Sequence, residues 1–229
     1  MCSMKGKNFV IIGGNSGIGK NVAENLNRNG AKVYTYSRSF TGEQHLDVGK
    51  DFETIPNLPE TIHGLVYCPG TINLKPFKRL KIDDFRQDLE INYIGAIRIL
   101  QFLENSLKRS KGAAVVLYST VAVQTGLGFH SSIGGAKGAI EGLTRSLAAE
   151  WASYGIRVNA IAPSLTDTPL ANSLLSTEDK RIAAEKRHPL GRVGKAADIA
   201  ASTEFLLSDQ SSWITGQVIK VDGGLSAIK

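Results

Sequence analysis

Only two cysteines occur in the chain, Cys2 at a terminus expected to fray and Cys68 inside an apolar run, so there is no disulfide framework and no Cys-x-x-Cys site. A reducing compartment is therefore expected, and with it a cytoplasmic location. No run of about eighteen apolar residues occurs, and the opening "MCSMKGK" lacks the apolar stretch of a secretory leader. Neither export nor a membrane partner is expected. His45, His63, His130 and His188 do not combine with cysteine or carboxylates at metal-ligand spacing, so no metal is expected. Aromatic residues make up 7% of the chain and do not interleave with its basic clusters, such as Lys75, Lys78, Arg79 and Lys81, or Lys180, Arg181, Lys186 and Arg187. A net charge of +6 dispersed in that way reads as solvated surface, not as a nucleic-acid face.

What the chain does contain is a regular alternation. With 229 residues, 42% of them hydrophobic, it has the length for one α/β domain spanning 1–229 and too little for two. Short apolar runs at 8–13, 32–37, 44–48, 64–68, 113–119, 157–162 and 217–222 read as strands. Helical patterns lie near 18–29, 83–108, 134–152 and 196–208. Such an order predicts a parallel sheet covered on both faces. Gly30 suits the position just past the first helix, and Asp83 suits the N-cap of the second. Two places break the rhythm. Between Val48 and Gly64 the chain is short and carries Pro56 and Pro59, so the crossover helix there is expected to be short or absent. From Ser164 to Lys195 it is polar, Pro-containing and too long for a simple connector, which reads as a substrate lid.

Directly after the first strand comes "GGNSGIGKNVAENL". Gly13, Gly17 and Gly19 there permit positive φ and a close backbone approach, and the following helix presents its N-terminus to an anion. With strand before and helix after, the stretch Gly13, Asn15, Ser16, Gly17, Ile18 and Gly19 predicts a dinucleotide pyrophosphate site. The second strand ends in Ser37 and Arg38 and has no acidic residue for a ribose 2′-hydroxyl. An arginine there pairs with a 2′-phosphate, so NADP(H) is the expected cofactor.

Together with Asp47-Val48, Asn92, Lys137, "SLAAEWASYGIRVNAIAPSLTDT" and "WITGQVIKVDGG", the glycine loop resembles the short-chain dehydrogenase/reductase family, most of all its 3-oxoacyl-carrier-protein reductases. The resemblance implies a Rossmann-type, doubly wound parallel sheet of seven strands with helices on both faces. It also implies hydride transfer between NADP(H) and a carbonyl or alcohol, with a small-molecule carbonyl or an acyl thioester as substrate. A homo-oligomer, tetramer or dimer, built on the helices near 83–108 and 134–152 is implied as well. Cofactor contacts at Asp47, Val48, Cys68, Gly70, Pro163 and Thr168 are carried over, and Lys137 falls where the family bonds the nicotinamide ribose.

The family's four chemical groups are Asn, Ser, Tyr and Lys. Asn92 and Lys137 match; the Ser position falls on Thr120, and the Tyr position, four before the lysine, falls on Ile133. The family's Asn-Asn-Ala-Gly is here Tyr67-Cys68-Pro69-Gly70, and its Pro-Gly is Pro163-Ser164. Isoleucine exchanges no proton, so ordinary family chemistry is expected to be weakened and its proton delivery to be atypical, with His130 as a candidate donor. The alternative from a different class is a cofactor-binding pseudoenzyme with a structural or regulatory role.

Overall fold

Strands buried on both faces need no polar alternation, and the central strands of this chain are of that kind, whereas the two edge strands are partly exposed. The computed structural model describes residues 4–228, so Cys2 lies outside the described residues. In chain order the strands are β1 (Asn8–Ile12), β2 (Lys32–Tyr36), β3 (Gly64–Tyr67), β4 (Ala114–Tyr118), β5 (Arg157–Pro163), β6 (Thr166–Asp167), β7 (Gly194–Lys195) and β8 (Val218–Val221). The helices are α1 (Gly17–Arg28), α2 (Ile82–Leu89), α3 (Gly95–Arg109), α4 (Ala122–Thr125), α5 (Ser131–Trp151), α6 (Glu178–Glu185) and α7 (Ala196–Leu207). A parallel sheet runs in the order β2-β1-β3-β4-β5-β8, while β6 and β7 pair with each other. Every residue of β3 and β4 is buried.

One core lies between the sheet and the α3 and α5 layer, around Ile99, Leu100, Leu103, Leu107, Ile140 and Trp151. The other lies under α1 and α7, around Phe9, Ile11, Leu26, Ile199 and Leu207. Each fully buried aliphatic side chain of this size contributes about 1.5–3 kcal/mol relative to exposure. Among the described residues no helix is long and apolar enough to cross a membrane.

Two expectations need correction. The main sheet has six strands, not seven. Residues 44–48 reach only as far as Ser37, whose N–H donates to the Gln44 carbonyl and whose carbonyl accepts from the Leu46 N–H, each at 3.1 Å. After that the Asp47 carboxylate accepts from the Gly49 N–H at 3.1 Å, and the chain turns away before a ladder can form. Asp83 is not the N-cap of α2: that position is Lys81, and the Asp84 carboxylate three residues on accepts from the Lys81 N–H at 2.9 Å. Asp83 is instead exposed and pairs with Arg86. Other expectations match. No helix forms between Val48 and Gly64, and Gly30, at φ +81°, follows the cap of α1.

The long helix expected at 83–108 is α2 and α3 joined without a break through a π turn at Glu90–Ile94. Single π turns of this kind occur often at functional sites. Here the Tyr67 hydroxyl donates to the Ile91 carbonyl oxygen at 2.5 Å, and the turn carries Asn92. Residues 164–195, expected as a lid, contain β6, α6 and β7.

Candidate active site

All strands of the main sheet are parallel, so their carboxyl ends share one edge. The order β2-β1-β3 makes the chain reverse direction across the sheet at β1, which leaves a crevice at that edge. A cavity of about 930 Å³ opens there.

The glycine loop forms one end. Gly13 and Gly17 have φ of +83° and +53°, a region other residues rarely adopt. A Cβ on Gly19 would stand 2.3 Å from the Gly13 carbonyl oxygen, so only hydrogen fits. Ser16 caps α1 without a side-chain hydrogen bond, and no acidic residue occupies the first turn. The first N–H groups of α1 are thus left for an external anion. Beside them the Ser37 hydroxyl donates to Asn15 Oδ1 at 2.8 Å, and Asn15 Nδ2 donates to Ser39 Oγ at 3.3 Å. Arg38 is exposed and forms no ion pair among the described residues. Asp47 and Val48 line the same end, and Ile18 and Thr168 stand on its wall.

Lys137 on α5 lines the same cavity, 8% exposed. Burial pulls its pKa down to about 8, against the opposing pull of the Cys68 thiol and the Asp88 carboxylate. The Cys68 thiol, pushed up to about 12 by burial, stays protonated and is no nucleophile at neutral pH. Gly70 keeps the space between Lys137 and Asn92 open: a Cβ there would lie 3.2 Å from Asn92 Oδ1 and 3.7 Å from Lys137 Nζ.

Asn92 does not line the cavity directly. It is fully buried, and its Nδ2 donates to Thr71 Oγ1 and to the Asp88 carbonyl oxygen, both at 2.8 Å. Its Oδ1 has no partner, nor does Asp88 Oδ2. The Thr71 hydroxyl in turn donates to Asp88 Oδ1 at 2.5 Å.

Ile133 sits one helical turn before Lys137, 5% exposed, on the cavity wall. Of the two hydroxyls after β4, that of Ser119 donates to Glu141 Oε1 at 2.7 Å, whereas Thr120 Oγ1 accepts only a long 3.3 Å contact from the Ala122 N–H. Thr120 is the freer of the two toward the cavity. His130, half-buried, also lines the cavity, with Nδ1 2.6 Å from the Gly128 carbonyl oxygen. Pro163 completes the floor.

The structure therefore brings the sequence-predicted residues to one cavity, with Asn92 just behind its wall. The Thr71–Asp88 pair and a contact between Ser164 and His188 escaped the sequence reading. Ser164 left one trace, as the departure from Pro-Gly after Pro163; Asp88 and His188 left none. No group of three or more His, Cys, Asp or Glu side chains among the described residues is placed to hold a metal ion.

A doubly wound parallel sheet with a glycine turn and a cavity at its carboxyl edge defines the Rossmann type of fold. The family model described as enoyl-(acyl carrier protein) reductase matches residues 43–226. A tropinone reductase homologue of Arabidopsis thaliana is 38% identical over 98% of this chain and 94% of its own length. The ligand-free aldohexose dehydrogenase of Thermoplasma acidophilum superposes with a TM-score of 0.88 at 27% identity, covering 100% of this chain and 98% of that one. ElxO, solved with NADP bound, superposes with a TM-score of 0.85 at 26% identity over 96% of this chain and 98% of its own. The chain belongs to the short-chain dehydrogenase/reductase family of oxidoreductases.

Proposed function

We propose that this protein is an NADP(H)-dependent oxidoreductase that transfers hydride between the nicotinamide and a carbonyl or alcohol carbon, with atypical proton delivery. The observation that carries this reading is one continuous cavity that joins the open N-terminus of α1 to the buried ammonium of Lys137. The Gly19 cradle, which a Cβ would fill, and the unpaired guanidinium of Arg38 fit a dinucleotide with a 2′-phosphate.

In this reading the residues from Gly13 to Gly19 hold the pyrophosphate, and Ser37 and Arg38 hold the 2′-phosphate. Asp47 and Val48 flank the adenine. Cys68, Gly70, Pro163 and Thr168 border the rest of the cofactor, and Lys137 bonds the nicotinamide ribose. When bound, the cofactor supplies or accepts the hydride. Thr120 orients the substrate oxygen, and Asn92, braced by Thr71 and Asp88, holds the polar floor behind Gly70. Ile133 stands where the family places its proton-exchanging tyrosine. His130 is not the favoured replacement, its Nδ1 being committed to the Gly128 carbonyl oxygen.

Residues 164–195 act as the substrate lid. Leu165, Leu170 and Leu174 give it an apolar inner wall suited to a small carbonyl compound or an acyl thioester. Self-association through the α2–α3 and α5 faces belongs to the same reading.

The test is NADPH consumption with a panel of ketones and acyl thioesters, alongside dissociation constants for NADPH and NADH. Turnover and a preference for NADPH are expected. Tight NADPH binding with no turnover on any substrate would move the assignment to a cofactor-binding pseudoenzyme. A preference for NADH would remove the role of Arg38.

A further inference from the structure

Ser164 directly follows β5. The Val121 N–H donates to the Pro163 carbonyl oxygen at 3.1 Å, which sets Ser164 beside the loop that carries Thr120. Its Oγ lies 2.7 Å from His188 Nε2, and His188 Nδ1 lies 2.8 Å from the Ala184 carbonyl oxygen. A carbonyl oxygen can only accept, so Nδ1 carries a hydrogen whether the ring is neutral or charged. The remaining nitrogen is then the variable one. In the neutral ring Nε2 accepts from the Ser164 hydroxyl; in the imidazolium it donates to Ser164 Oγ.

A hydroxyl held in this way can release its proton on one side and be reloaded from the other. Ser164, His188, Ile133 and Lys137 line the same cavity. His188 is 4% exposed, so its ring is held in one orientation, yet its partner hydroxyl is only half-buried.

We propose that Ser164 and His188 form the proton relay of this site and perform the step that Ile133 cannot. The inference rests on the oxidoreductase reading, with reduced nicotinamide dinucleotide as the reductant. Once hydride is delivered to the carbonyl carbon, the C=O π pair moves onto oxygen, and that oxygen takes the Ser164 hydroxyl proton. Ser164 Oγ is reprotonated by the Nε2–H of the His188 imidazolium. The ring is left neutral, its Nδ1–H still donating to the Ala184 carbonyl oxygen, and solvent water at the cavity returns a proton to Nε2. Alcohol oxidation runs the same transfers in reverse.

The experiment pairs turnover with a spectroscopic reading that needs no catalysis. In protein carrying ¹⁵N-histidine, the neutral His188 ring is expected as the Nδ1–H tautomer, with an Nε2 resonance that moves in Ser164→Ala. Ser164→Ala and His188→Gln should lower kcat for an activated ketone by about 10²-fold or more, with KM and the NADPH dissociation constant little changed. Ser164→Thr, which keeps a hydroxyl, should restore most of the rate. Should His188→Gln fail to fold, Ser164→Ala decides alone, because it removes a single half-buried oxygen. The relay is overturned by an Nε2–H tautomer, by an unchanged kcat in Ser164→Ala, or by a Ser164→Thr protein as slow as the alanine variant. In the last two cases wild-type turnover still supports the oxidoreductase reading. If the wild-type protein reduces no carbonyl, that reading falls and the relay falls with it.

Discussion

Replacing Lys137 by methionine should make the protein more stable while weakening its hold on the cofactor. Lys137 is 8% exposed, and its ammonium makes no hydrogen bond among the described residues. Its pKa falls from 10.5 to about 8, chiefly by burial. At about 1.4 kcal/mol per unit, that depression corresponds to a cost of roughly 3 kcal/mol for keeping the charged form buried there. Methionine has a similar length and no charge to bury. For a domain of this size each kcal/mol moves the melting temperature by about 2–4 °C, so a rise of about 6–12 °C is expected at pH 7. The pH dependence follows from proton counting. Between about 8 and 10.5 the unfolded chain still holds a proton that the folded chain has released, so wild-type stability rises with pH through that window. Below it the full cost is present. The gap between variant and wild type should therefore be widest at pH 7 and mostly closed by about pH 10. Urea unfolding of both cofactor-free proteins at the two pH values measures it, and groups common to both cancel in the difference. A less stable Lys137→Met protein at pH 7, or a gap that does not narrow, would refute the reasoning.

Two other substitutions probe the two ends of the cavity. Arg38→Ala should weaken NADPH binding by about tenfold to a hundredfold, the loss of a hydrogen bond to a charged group, and leave NADH binding unchanged; calorimetric titration of both cofactors checks this, and an equal effect on both would exclude a 2′-phosphate contact. Ile133→Tyr should place a phenol one turn from Lys137 and raise ketone reduction at least tenfold, including in a Ser164→Ala background where it replaces the lost donor. If it folds and binds NADPH without any gain in rate, the cavity has closed around the isoleucine, where overpacking typically costs about 1–3 kcal/mol.

The sheet was legible because strands buried on both faces leave contiguous apolar runs such as "AAVVLYS", and six of these became strands of the main sheet. The 44–48 segment misled because Leu46 and Val48 are buried and alternate as in a strand, while Asp47 between them folds its carboxylate onto Gly49 and ends the pairing. Asp83 misled for a similar reason: a good capping residue was present, but Asp84 was the one placed three residues after the true cap. The glycine loop was legible because its geometry depends on the missing Cβ, which the sequence states directly. The Ser164–His188 contact was not, since 24 residues and a helix separate its members and no periodicity links them. Thr71, Asp88 and Asn92 meet only because the π turn and the end of β3 bring them together, and neither leaves a local pattern.

The distribution of unmet polar groups bears on the choice between enzyme and scaffold. Asn92 Oδ1 and Asp88 Oδ2 are buried without partners among the described residues, and the ammonium of Lys137 nearby has no hydrogen bond among them. Each such group costs about 1–3 kcal/mol when left unsatisfied. A protein that used this fold only for packing would be more stable with apolar side chains at these positions, as it already has at Ile133. Asn92 and Lys137 lie beside Gly70. Of these groups Lys137 lines the cavity, where a ligand hydroxyl would meet its ammonium. Ile133 shares the cavity wall with Lys137, Ser164 and His188. That arrangement favours a site whose proton route has moved over one that has been abandoned.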